Sequence, residues 1–60
     1  MDKVHVYVDE ASEFRWRRVA ENGQVVSVSG EGYASKSHTV AMAKSLNADA
    51  ELVDDVPDSE

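Results

Sequence analysis

The pair Asn22-Gly23 sits between two runs of alternating apolar and polar residues, Phe14–Ala20 and Val25–Ser29. Asn-Gly tolerates positive φ better than any other common dipeptide, and it is the strongest short-range signal for a two-residue type I′ hairpin turn. The flanking runs are rich in β-branched and aromatic types, which suit a pleated, half-buried surface. A β-hairpin with its turn at Asn22-Gly23 is therefore the first expectation. It places Glu21 opposite Gln24, Ala20 opposite Val25 and Arg18 opposite Ser27.

Side chains alternate across a strand, so that register sorts the hairpin into two faces. One face carries Phe14, Trp16, Arg18, Ala20, Val25 and Ser27. The other carries Arg15, Arg17, Val19, Val26 and Val28. Large aromatics opposite small residues leave room for a helix to lie across the first face. The second face mixes cations with valines and is the candidate interaction surface.

Upstream, Val4-His5-Val6-Tyr7-Val8 alternates residue by residue and reads as a further strand, joined to the hairpin through the polar turn Asp9–Ser12. Downstream, Gly30-Glu31-Gly32 is a flexible connection, and Ser35 or Ser37 caps a helix start. From Lys36 to Leu46 a helical wheel places Thr39, Val40, Met42, Ala43 and Leu46 on one side, with Asn47 as the end. Ala50–Val53 reads as a short fourth strand. The expected architecture is α+β: a β-β-β-α unit over residues 1–53, an antiparallel three-stranded sheet packed on one helix. Residues 54–60, acidic and containing Pro57, read as a disordered tail.

A chain of 60 residues has room for one small core. Such a domain buries only about 60% of the surface its unfolded chain exposes. Small domains compensate with disulfides, metal or self-association. With no cysteine, and only His5 and His38 as nitrogen ligands, self-association remains, so a homodimer is expected. The pattern implies no cofactor and no metal. No run is apolar and long enough to cross a bilayer and no export signal is visible, so a cytoplasmic location is expected.

Twelve Asp and Glu against six Lys and Arg give a net charge of −6. That bias argues against broad attraction to nucleic acid. Carboxylates scattered along a lysine-poor chain suit either a salty cytoplasm, where screening relieves self-repulsion, or an ordinary acidic mesophile protein with an acidic tail.

Candidate chemistry is sparse. Gly30-Glu31-Gly32 lacks the Gly-Lys-Ser/Thr end of a phosphate loop, and its glutamate would repel phosphate. His5 and His38 lack a partner motif for acid–base work, Ser35 and Ser37 lie in no nucleophile elbow, and Tyr33 reads as a packing anchor. Arg15, Arg17 and Arg18 beside Phe14 and Trp16 are the only basic cluster; stacking platforms for single-stranded nucleic acid are built from such residues. Yet Arg15 and Arg17 point away from Phe14 and Trp16, so the cluster reads as a charged outer face balancing nearby acids.

Three stretches, Phe14-Arg15-Trp16-Arg17, Asn22-Gly23-Gln24-Val25-Val26 and Glu31-Gly32-Tyr33-Ala34-Ser35-Lys36, resemble the YegP-like proteins, catalogued as domain of unknown function 1508. With its acidity, the chain resembles a haloarchaeal member. The resemblance implies a β-β-β-α unit that often occurs in two tandem copies, so a second molecule would supply the missing neighbour. It brings no activity, substrate or cofactor. Arg18 departs from the family's apolar residue, and implies either a packed stem with its head in water or a carboxylate met across an interface. The reading is a non-enzymatic homodimeric interaction module, with an unidentified protein as further partner. A nucleic-acid-associated protein using Arg15, Arg17 and Arg18 is the alternative, and a small enzyme with a dimer-interface site the second.

Overall fold

The computed structural model describes residues 1–30 and 32–56. Strands β1 (Lys3–Val8), β2 (Phe14–Val19) and β3 (Val25–Val28) are followed by helix α1 (Lys36–Leu46) and strand β4 (Glu51–Asp54). The fold is α+β, with one helix on a four-stranded sheet ordered β3-β2-β1-β4. The sheet is mixed rather than purely antiparallel: β4 runs parallel to β1, with Val4 beside Leu52 and His5 beside Val53. A parallel neighbour requires a crossover, and α1 supplies it.

The two hairpins share one turn geometry. In the second, Ala20 N–H donates to Gln24 O and Gly23 N–H donates to Ala20 O. In the first, Asp9 N–H donates to Glu13 O and Ser12 N–H donates to Asp9 O. Each loop thus has three residues, closing with one in the left-handed region: Gly23 at φ 91° and Ser12 at φ 64°. The two-residue type I′ turn is therefore corrected, since among the described residues positive φ falls on Gly23 and not on Asn22. Asn22 instead accepts the Gln24 N–H on its side-chain oxygen at 3.1 Å.

The longer loop shifts the register by one residue, and a bulge between Arg18 and Val19 shifts it back. Val19 therefore faces Val25, while Arg18 still faces Ser27 as expected. Val25 moves to the face carrying Val19, away from the helix.

The core is small. Val4, Val6, Trp16 and Ala43 are buried, with Tyr33, Val40, Ala50, Leu52 and Val56 packed around them. Helix α1 approaches β1 and β2 along Thr39, Ala43 and Asn47, a row of small residues spaced four apart. Leu46 lies off that row in the last turn and is 60% exposed, contrary to its expected place in the core. Phe14 is also only half buried, at the start of β2, where its backbone exchanges hydrogen bonds with Tyr33 at 2.8 and 2.9 Å.

The helix ends follow their expected chemistry. Ser35 caps the start by accepting the His38 N–H at 3.3 Å, and Asn47 closes the end by donating to Ala43 O from both backbone and side chain. Gly32 is needed for close approach: a Cβ there would lie 2.6 Å from the Cβ of Glu13. Strand β4 extends through Asp54, and Asp55 N–H still donates to Val6 O at 2.8 Å, so the start of the expected tail belongs to the fold. Residues 57–60 of that tail lie outside the described residues.

Candidate interaction surface

Strand β3 is an edge strand, and the helix packs chiefly on β1 and β2. All of its residues are exposed, with Val25, Val26 and Val28 at 55%, 56% and 56%. Ser29 N–H donates to Trp16 O at 2.9 Å. In an antiparallel ladder bonded residues alternate with outward-facing ones, so the backbone amide and carbonyl of Val28 point to the open edge. A strand with free backbone groups and no charged side chain is a template for pairing.

Of the residues assigned to the candidate surface, Arg15, Arg17, Val19 and Val28 lie together on the sheet face away from the helix, and Val26 is the extra residue of the bulge. The face also holds residues outside that set, Lys3, His5, Tyr7 and Val25. Val25 joins this face because of the bulge, which no local pattern announces. Tyr7 joins it from β1, directly opposite Arg15, and its ring lies 4.7 Å beneath the Arg17 guanidinium. The alternation of β1 could have found it, since Tyr7 shares parity with His5.

On this face Arg15 is matched by carboxylates, whereas Arg17 lies over the Tyr7 ring. Arg15 binds Asp9 and lies 3.9 Å from Glu13. The Arg15 hydrogen bond holds the Asp9 carboxyl below its ordinary range, helped by the amides of Glu13 and Ala11. His5 Nδ1 lies 2.7 Å from Asp55 Oδ2. On the opposite face, Arg18 meets Asp2 at 2.9 Å and both oxygens of Asp49 at 2.9 and 3.1 Å. Its carboxylates come from its own chain, which corrects the alternative of a carboxylate reached across an interface.

The remaining polar residues are dispersed. His38 stacks on Tyr33 with ring centroids 5.0 Å apart, in the first turn of α1. Ser37 shares a 3.0 Å hydrogen bond with the capping Ser35. His5 lies on the outer face of β1, so the candidate acid–base groups are not gathered into one cleft. Among the described residues, no helix is long and apolar enough to cross a membrane.

A small sheet, one helix and an uncovered edge define the chain as a compact α+β unit with an open side. The family described as Domain of unknown function (DUF1508) matches residues 9–54. The chain belongs to that family. Similar proteins include a UPF0339 protein of Methanosarcina acetivorans, 38% identical over 50 residues, covering 83% of this chain and 84% of the relative. The UPF0339 protein Atu0232 of Agrobacterium fabrum is 39% identical over 57 residues, covering 90% of each chain. A UPF0339 protein of Treponema denticola is 38% identical over 48 residues, covering 80% of this chain and 81% of that one. No solved structure matches the chain significantly.

Proposed function

We propose that this protein is a non-enzymatic homodimeric interaction module of a salt-adapted cytoplasm, joined edge to edge through β3. The observation that carries the reading is the bareness of β3: an edge strand with three valines more than half exposed. Charge selects the geometry. Packing two outer faces together would gather the Arg17 and Lys3 cations of both copies into one interface. Pairing two β3 edges confronts only valines and serines and forms backbone hydrogen bonds across a two-fold axis. The product is one continuous eight-stranded sheet with its helices on one side. The outer face then stays open to a further protein partner.

The nucleic-acid alternative draws less support. Arg15 is already matched by Asp9 and Glu13, Arg18 by Asp2 and Asp49, and the chain carries a net charge of −6. Sedimentation equilibrium of the wild type and of Val28→Pro tests the proposal. Proline removes the outward amide of Val28 and leaves the bonds from Ser29 to β2 in place. A dimer for the wild type and a folded monomer for the variant are expected. A wild type that stays monomeric at millimolar concentration would sink the reading.

A further inference from the structure

The segment from Asp49 to Asp55 is tied to the rest of the molecule by two ion pairs and one hydrogen bond, each to a different element. Asp49 at its entry binds Arg18 of β2 at 2.9 and 3.1 Å. Asp54 at the end of β4 lies 2.6 Å from the Lys36 ammonium in the first turn of α1. Asp55, one residue on, lies 2.7 Å from His5 Nδ1 of β1. Between these ties the strand is short and only partly covered. β4 has four residues against six in β1 and β2, two of them exposed, and the helix packs chiefly on β1 and β2. A cleft of about 370 Å³ separates it from the end of α1, lined by Val4, Ala43, Lys44, Ala50 and Leu52.

We infer that β4 is a strap held by charge, which opens as a unit ahead of the rest of the fold and so exposes the edge of β1. The β1–β2–β3 meander keeps its own ladder when β4 leaves, because β4 contacts the sheet through β1 alone. The strap contributes Ala50, Leu52 and Val56 to the periphery of the core, whereas Val4, Val6, Trp16 and Ala43 remain together without it. The Asn47–Ala50 turn, closed by the Ala50 N–H to Asn47 O bond at 3.0 Å, is the hinge. Segments with few buried contacts open with lower free energy than the global unfolding event. The titratable and charged neighbours are Lys36 and Lys44 from α1, His5 and Lys3 from β1, Arg18 and Arg17 from β2, and Asp2 beside Arg18.

Native-state hydrogen exchange on the full chain tests the strap. The Glu51 and Asp55 amides, which donate to Asp2 O and Val6 O at 2.9 and 2.8 Å, report on it. The amides of His5 and Arg17, facing residues in the β1–β2 ladder, report on the body. The strap amides are expected to exchange at least tenfold faster than the body amides, after correction for intrinsic rates. Asp49→Asn, Asp54→Asn and Lys36→Gln should each raise strap exchange by about two- to fivefold, the range for a partly exposed ion pair. Body amides, which exchange through global unfolding, should speed by the same factor, because the lost pair destabilises the closed state against both the opened and the unfolded states. Gly23→Ala, in the β2–β3 loop, should instead speed the body and leave the strap unchanged. Lys36→Gln alters only an exposed residue and keeps the test available if an aspartate variant folds poorly. Equal protection in strap and body, or a Gly23→Ala variant that speeds both equally, would overturn the inference.

Discussion

The Arg18 guanidinium grips both carboxylate oxygens of Asp49 while its Nε donates to Asp2, which lashes β2 to the chain start and to the turn before β4. This fork-to-fork geometry is open to arginine and not to lysine. It explains how a cation is tolerated on the helix face of the sheet, two residues from the buried Trp16. Arg18→Lys should therefore lower the thermal midpoint more than Arg17→Lys, because Arg17 meets a tyrosine ring rather than a carboxylate fork. Thermal melts of the two variants side by side check the order.

Acid should unfold the protein through the same pairs. Hydrogen bonds from Arg18, Arg15 and Lys36 hold the carboxyls of Asp49, Asp9 and Asp54, respectively, below their ordinary values. A carboxyl whose folded pKa lies below its unfolded value of about 3.9 stabilises the fold fully above that value. That contribution is lost as pH falls through the folded pKa. Stability should thus be flat with respect to these groups above about pH 5 and decline below about pH 4. Denaturant titrations from pH 7 to pH 3 measure it. Asp49→Asn should flatten the acid limb and lower the neutral plateau; an unchanged acid limb would show that the pair contributes nothing.

Ser12 occupies, in the β1–β2 loop, the left-handed position that Gly23 fills in the β2–β3 loop. A side chain in that region costs roughly 1–2 kcal/mol, partly offset by the greater chain entropy that glycine loses on folding. Ser12→Gly should accordingly stabilise the protein by up to about 1 kcal/mol, and Gly23→Ala should destabilise it by a similar amount. Chemical denaturation of both variants gives the two signs, and the same sign for both would contradict the shared geometry.

Trp16 is 5% exposed, and its indole N–H has no acceptor among the described residues. Trp16→Ala should cost about 3–5 kcal/mol, a large part of the stability of a domain this small. Trp16→Phe should cost clearly less, because it keeps most of the packing and removes the orphaned donor. A Trp16→Ala protein with an unchanged denaturation midpoint would mean that the ring contributes nothing to the core.

The elements legible in the sequence were those coded locally. Alternation in Val4–Val8 and Phe14–Ala20 marked strands, and Ser35 and Asn47 marked the helix ends. What escaped depends on tertiary geometry. The bulge beside Val19 follows from fitting a three-residue loop to a register set by packing further along. Leu46 was misplaced because the helix wheel leaves the contact line uncertain by a residue's rotation, and the small row Thr39, Ala43, Asn47 allows the closest approach. The start of the tail was misjudged because Asp54 and Asp55 look solvated until Lys36 and His5 are brought to them by the fold. Of the outer sheet face, the places of Arg15, Arg17, Val19 and Val28 were legible, whereas that of Val25 waited on the bulge.

Salt and protein concentration should act together on the proposed dimer. Two chains of charge −6 repel each other, and the repulsion reaches furthest at low ionic strength. Screening shortens its range from about 10 Å at 0.1 M salt to about 3 Å at 1 M. The edge contact at β3 has no charged side chain to lose, so salt removes the penalty while leaving backbone hydrogen bonds and valine contacts intact. Molar salt should therefore raise the thermal midpoint. Raising protein concentration should do the same, since dimerisation adds to folding stability by mass action. Val28→Lys puts a cation on each edge, which should abolish the concentration dependence but not the fold. Thermal melts over a concentration series at 0.1 M and 2 M salt, with sedimentation on the same samples, read both effects. A concentration-independent wild-type midpoint at both salts would rule out coupling between folding and association through β3.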